Sequence, residues 1–242
     1  MDGLSIRRRI ALDIARSMRK SQEEEHPLRQ LFWECTLRCN LRCQHCGSDC
    51  KQVAATPDMP KEDFFKVLDS IAAKTDPHKV FVIISGGEPT MRADLEECGK
   101  GIYSRGFPWG MVTNGFGMTA ERFSRLLGAG LHSMTVSLDG LEENHDWLRG
   151  REGSFTRAAE TIRMAVRSGI AFDVVTCVNR RNYSQLPQLK EFLIGLGLKE
   201  WRLFSIFPQG RAALNPDLQL PPEMFRGMLD FIKETRKEGR IK

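Results

Sequence analysis

No cysteine follows Cys177 in this chain of 242 residues, and no uninterrupted apolar run is longer than Val80 to Ile84. Such a run falls far short of the roughly 20 apolar residues that cross a bilayer as a helix, so no membrane span is expected. The N-terminal stretch MDGLSIRRRIALDIARSMRK has no continuous apolar region of the kind a secretory signal needs. It is Arg-rich, as transit peptides are, but Asp2 and Asp13 count against that assignment. No low-complexity linker interrupts the chain, and no block of like charge is long enough to form a tail. The net charge of +5 is modest and dispersed, and no nucleic-acid partner is expected. Seven cysteines, an odd number, argue against a disulfide framework and for a reducing cytoplasm.

What is present is alternation. LFWECT (31–36), KVFVIIS (79–85), FPWGMVT (107–113), LHSMTVSL (131–138), IAFDVVTCV (170–178) and EWRLFSIF (200–207) read as strands. Amphipathic segments separate them. In SFTRAAETIRMAVRSG, Phe155, Ala159, Ile162 and Val166 recur at helical spacing, and Gly169 stands at the C′ position. Phe64, Leu68 and Ile71 share a face behind Pro60, Thr119 is an N-cap candidate, and Phe225, Met228 and Ile232 pattern the last helix. Six β-then-α units of about thirty residues are βαβ repeats. Right-handed crossovers curl such a sheet, and eight units close the usual barrel. Six predict an α/β fold that is an open, partial (β/α)6 TIM-like barrel, with a flat doubly wound sheet as the alternative. Residues 27–242 form this core domain. Residues 1–26 form an amphipathic helical extension, with Ile6, Ile10, Ile14 and Met18 on the face that packs against the body or a partner.

The chemistry gathers after the strands, where ligands bind in either architecture. CTLRCNLRCQHCGSDC packs five cysteines into residues 35–50, and Cys39, Cys43 and Cys46 form C-x3-C-x2-C. Three thiolates leave one iron of a [4Fe–4S] cluster open to another ligand. Structural zinc would recruit a fourth ligand, for which Cys35, His45 and Cys50 are all near in sequence. After the second strand, SGGEP brings two glycines that admit close backbone approach, and Glu88 offers a carboxylate to an ammonium group.

This combination, over about residues 30 to 215, resembles the radical S-adenosylmethionine (SAM) superfamily, in which the third cysteine usually follows an aromatic; here His45 precedes it. The family fold is a partial (β/α)6 barrel. The resemblance implies that Cys39, Cys43 and Cys46 hold a [4Fe–4S] cluster whose open iron takes the amino and carboxylate groups of SAM. It implies that Gly86, Gly87 and Glu88 line the SAM amino group, that Ser137 of SLDG bonds its carboxylate or ribose, and that Arg149 of HDWLRG pairs with the carboxylate. Asn179 and the Pro208–Gly210–Arg211–Ala212 turn would cradle ribose and adenine. No catalytic side chain beyond the cluster and SAM site is implied.

Each assignment has a plainer counterpart. Ser137 and Asp139 could form a strand-end turn, Asn179 an Asx turn, and Arg149 an ordinary surface position. Cys98 and Cys177 read as packing residues; Cys35 packs in the first strand and Cys50 caps the loop, or either of these two stands beside the cluster. SLDG, HDWLRG, GSF and P-x-GRA resemble the SPASM subgroup, which implies a peptide or protein substrate and an electron donor such as flavodoxin or ferredoxin. The alternatives are a nucleotide or tetrapyrrole substrate, and, in another class altogether, a zinc-stabilised binding module. SPASM members carry further clusters in a C-terminal cysteine-rich extension. The absence of cysteine beyond Cys177 creates the expectation of a chain truncated soon after its sixth helix.

Overall fold

The computed structural model describes residues 5–242; Met1, Asp2, Gly3 and Leu4 of the expected extension lie outside the described residues. Six strands form: β1 (Gln30–Thr36), β2 (Phe81–Gly86), β3 (Trp109–Thr113), β4 (Leu131–Ser137), β5 (Ala171–Val178) and β6 (Trp201–Ser205). They pair in parallel in the order β1-β2-β3-β4-β5-β6. A doubly wound sheet reverses its strand order at a switch point, and this one never does. The open partial barrel is therefore the architecture.

Helices α2 (Lys61–Ala72), α3 (Leu95–Tyr103), α4 (Ala120–Gly128), α6 (Ser154–Ser168) and α7 (Leu186–Gly195) follow or connect the strands. Each buries an apolar stripe, with Leu68, Ile102, Leu126, Ile162 and Leu193 fully enclosed together with Val82, Ile84, Met134 and Val136 of the sheet. Full burial of one such side chain is worth about 1.5–3 kcal/mol. Thr119 caps α4 by accepting from the Arg122 N–H at 3.1 Å, and Gly169 ends α6 at φ +71°. Cys35 and Cys98 sit in this core, as packing residues do.

Three features differ from the sequence reading. Helix α1 (Ile6–Glu25) forms, yet Ile6, Ile10, Ile14 and Met18 are 77%, 54%, 56% and 59% exposed, so this face does not pack on the body. Its apolar face is one residue wide and hemmed by arginines, a poor match for a core helix. A short helix, α5 (Glu142–Arg149), stands between β4 and α6 and ends at Gly150 in the left-handed region, φ +66°. In α8 (Pro222–Glu238), Met228 faces inward but Phe225 is 41% exposed.

Between β1 and α2 runs the cysteine-bearing connection. It doubles back on itself: Arg38 and Lys51 form an isolated parallel bridge, and the Cys39 N–H donates to the Lys51 carbonyl at 2.7 Å. The C-terminal ends of β1 to β4 converge over this loop.

Candidate active site

Beneath the loop, at those strand ends, lies a cavity of about 160 Å³. Cys39, Cys43, Cys46, Cys50, Gly86, Gly87, Glu88, Thr113, Asn114, Ser137, Arg149 and Arg211 line it. Eight of the nine residues singled out from the sequence thus meet in one place, and Asn179 alone does not. The Asn179 side chain accepts from the N–H groups of Arg181 at 2.9 Å and Asn182 at 3.2 Å, the Asx turn at the end of β5.

The Gly-Gly-Glu segment is fastened to the end of β1. The N–H groups of Gly87 and Glu88 donate to the Thr36 and Arg38 carbonyls at 2.8 and 2.9 Å. A Cβ at Gly86 would collide with the Thr36 carbonyl oxygen, and one at Gly87 with that of Arg38. Gly86 also has φ +123°, where only glycine is comfortable. The approach aims Glu88 inward, where it is 1% exposed. Its Oε1 accepts from the Thr90 N–H (3.1 Å), the Thr90 hydroxyl (2.8 Å) and the Thr113 hydroxyl (2.8 Å), and Oε2 accepts from the Asn114 N–H at 2.7 Å. The carboxylate is rigidly held, and Oε2 keeps a lone pair for a ligand cation.

The thiols test the choice between a single ion and a cluster. Among the described residues, the only trio of His, Cys, Asp or Glu ligand atoms mutually within 4.8 Å is His45, Asp139 and Cys177. The Cys39, Cys43 and Cys46 sulfurs are therefore spread beyond the edge of a tetrahedral zinc–thiolate site, about 3.8 Å for Zn–S bonds of about 2.3 Å. A cluster binds each thiolate to a different iron and suits a wider spread. Two sulfurs already face N–H donors: Asn114 Nδ2 reaches Cys39 Sγ at 3.9 Å, and Arg149 Nη1 reaches Cys43 Sγ at 3.7 Å. Such donors favour thiolates carrying negative charge. Without a metal, burial pushes the Cys39 thiol up to about 12 and raises Cys43, so binding must expel those protons.

Arg149 is buried rather than superficial, because α5 turns it into the barrel. Its Nε donates to Asp139 Oδ2 at 2.6 Å, and Asp139 Oδ1 accepts from the Cys177 N–H at 2.7 Å. Burial, the largest single effect, would raise the Asp139 carboxyl, but the Arg149 cation, the His45 and His145 rings and the Cys177 N–H together outweigh it and hold the group below the usual carboxylate range. Cys177 packs against the buried cluster of Leu148, Ile206, Ala212 and Leu218, as a packing residue does, and its thiol lies beside Asp139 and His45. His145 Nδ1 accepts from the Asp139 N–H at 3.0 Å, which puts the ring proton on Nε2. Burial and then the Arg149 charge pull both His45 and His145 down to about 4, so both are neutral at pH 7.

Sequence reasoning missed how the loop is tied down. From the turn after β6, the Arg211 N–H donates to the Cys46 carbonyl at 2.9 Å, its Nε to the Cys43 carbonyl at 2.7 Å, and its Nη1 to the Cys50 carbonyl at 3.0 Å and to Asp49 Oδ1 at 2.6 Å. Gly210, at φ +58°, presses against the Cys46 and Gly47 carbonyls with no room for a Cβ. Asn114 was also missed, and its signal was the TNG triplet that begins at the last residue of β3.

The model of the radical SAM superfamily matches residues 33–193. An AdoMet-dependent heme synthase of Methanosarcina barkeri is 29% identical over 214 residues, covering 88% of this chain and 60% of its own length. A PqqA peptide cyclase of Rhizobium meliloti is 26% identical over 217 residues, covering 89% of this chain and 56% of its own. Among solved structures, Streptococcus suis SuiB bound to S-adenosylmethionine superposes with a TM-score of 0.68 at 15% identity, covering 97% of this chain and 55% of that one, a likeness of fold. The chain spans 55–60% of the length of these three proteins. No helix among the described residues is long and apolar enough to cross a membrane. With that match spanning about two thirds of its residues, the chain belongs to the radical SAM superfamily, whose cofactors are a [4Fe–4S] cluster and S-adenosylmethionine.

Proposed function

We propose that the strand-end cavity is the site of SAM cleavage and that the radical made there takes hydrogen from a peptide or protein. One observation carries this: residues from the β1 loop, β2, β4 and α5, distant in sequence, line a single cavity. When bound, the cluster and SAM together supply one-electron cleavage of the sulfonium, yielding methionine and a 5′-deoxyadenosyl radical. The protein's part is binding, orientation and exclusion of water. Cys39, Cys43 and Cys46 would supply three thiolates and leave one iron without a protein ligand. Glu88, locked by four donors, receives the amino group of SAM. Ser137 and the guanidinium edge of Arg149 not used by Asp139 face its carboxylate or ribose. A reducing cytoplasm suits such a centre.

The open edge of the sheet supports the peptide reading. Among the described strands β6 is an edge of the sheet; only its first residue is engaged outside, Trp201 donating to the Lys242 carbonyl at 2.8 Å, while Phe204 within it and Phe207 just beyond are 47% and 79% exposed. An extended chain laid along such an edge is held by backbone hydrogen bonds. The SPASM-like motifs and the peptide cyclase relative point the same way. A tetrapyrrole is the second reading, favoured by the heme synthase relative. The reconstituted protein, given dithionite and SAM, should form 5′-deoxyadenosine, and failure to do so would sink the proposal. Titration with iron coproporphyrin, followed at its Soret band, separates the substrates: tight saturable binding replaces the peptide reading with the tetrapyrrole.

A further inference from the structure

Asn114, the residue after β3, is buried and lines the strand-end cavity beside Cys39. Its donors and its side-chain oxygen are all committed. The N–H donates to Glu88 Oε2 at 2.7 Å, so the backbone serves the carboxylate. The side-chain oxygen accepts from the Phe116 N–H at 2.8 Å. A backbone N–H can only donate, so this contact fixes which end of the amide is oxygen. Nδ2 is thereby turned the other way, giving one hydrogen to Asn40 Oδ1 at 2.9 Å and presenting the second to Cys39 Sγ at 3.9 Å. The turn that carries the amide is pinned as well. Gly115 holds φ +74°, its N–H donates to the Thr113 hydroxyl at 3.0 Å, and its carbonyl accepts from the Thr161 hydroxyl at 3.1 Å. The Leu41 N–H also points at the Cys39 sulfur.

We propose that the Asn114 side chain sets the reduction potential of the cluster, its amide N–H donating to the Cys39 thiolate and raising that potential. The inference rests on the reading of Cys39 as a cluster ligand. One-electron reduction, from the 2+ to the 1+ state, adds negative charge that spreads over the sulfurs and exchanges no proton or bond. An N–H aimed at a ligand thiolate therefore stabilises the reduced form more than the oxidised one. The site is buried, where such a dipole is poorly screened. Two elements supply side-chain donors of different charge: a guanidinium from α5 faces Cys43, and a neutral amide from the end of β3 faces Cys39. Arg149 is shared with Asp139 and, in the proposed site, with SAM. Asn114 Nδ2 is shared only with Asn40, so the fold alone fixes its contribution.

The test is a potentiometric titration of the reconstituted protein, followed by electron paramagnetic resonance, with dithionite as reductant and no SAM present. Asn114→Leu removes the donor at similar volume. Asn114→Asp keeps an acceptor for the Phe116 N–H and exchanges the donor for a second acceptor. Both should lower the midpoint potential, Asn114→Asp the more, since its oxygens repel the thiolate. Asn40→Ala removes the amide's other partner but leaves its N–H on Cys39, so its potential should stay closer to wild type than to Asn114→Leu. Resonance Raman gives a reading that a merely structural role would not move. An iron–thiolate stretch of wild type reconstituted in deuterium oxide should shift, and should shift less in Asn114→Leu. Midpoint potentials unchanged or raised in both Asn114 variants would overturn the proposal. A wild-type stretch indifferent to deuterium would overturn it too, even if neither variant held its cluster. A wild type that takes up no four-iron cluster would strike instead at the reading of Cys39, Cys43 and Cys46 as ligands.

Discussion

Truncating Arg211 to alanine would remove the tie between the turn after β6 and the cysteine loop. The side chain is only 14% exposed, and it donates to the Cys43 and Cys50 carbonyls at 2.7 and 3.0 Å. Hydrogen bonds to charged groups contribute about 1.5–3 kcal/mol each. The ion pair with Asp49, which is 48% exposed, adds at most about 1 kcal/mol. Water in the adjoining cavity can solvate part of what is lost, which places the net effect near the low end, about 3 kcal/mol in favour of the open loop. At 1.4 kcal/mol per tenfold, the closed loop becomes about 100-fold less populated, and affinity for the cluster falls by up to the same factor. Arg211→Lys should recover less than half of the loss, since one ammonium cannot match a guanidinium fork spanning two carbonyls. The assay is retention of iron under a fixed chelator challenge after anaerobic reconstitution, with urea unfolding of the apo-protein alongside. Wild-type retention by Arg211→Ala would refute the argument.

Three further outcomes are expected. Alanine at Cys39, Cys43 or Cys46 should abolish stable four-iron binding, whereas Cys98→Ala, altered inside the core around α3, should keep full iron by elemental analysis. Glu88→Gln, though it keeps shape, must turn an amide N–H₂ toward the N–H of either Thr90 or Asn114. It should cost about 1–3 kcal/mol in apo-protein stability and at least tenfold in SAM affinity by calorimetry, and unchanged values for both would mean the carboxylate is not held as described. For His145, the folded value of about 4 lies below the ordinary 6.5. Between those values the unfolded chain binds more protons than the folded one, so stability is lost as pH falls from about 6.5 toward 4. One such group removes about 2 kcal/mol between pH 7 and pH 5. Apo-protein urea midpoints should show this, and His145→Gln, which can still accept from Asp139, should lessen the dependence while the share of His45 remains.

The sequence by itself determined the repeat and brought out the thiols on which the proposed cluster site rests. Strand lengths and apolar runs are local properties, and β1 to β6 formed within two residues of the expected ranges. Cys39, Cys43 and Cys46 were legible because their spacing within one loop is itself the signal. The Gly86–Glu88 run was legible for a related reason, since a close backbone approach demands glycine. Only the tertiary structure decided matters that depend on elements far apart in sequence. Arg149 could not be told from a surface arginine until α5 carried it to Asp139 and to Cys43, 106 residues earlier. Arg211 reads as part of a turn, and its hold on carbonyls more than 160 residues away has no sequence signature, because backbone carbonyls look alike at every position. Asn179 carried the same side chain in both readings; the arrangement of its neighbours Arg181 and Asn182 made it a turn residue. Helix α1 shows the converse, since an amphipathic pattern states that a face can be buried, while what covers it is a matter of where the rest of the chain lies.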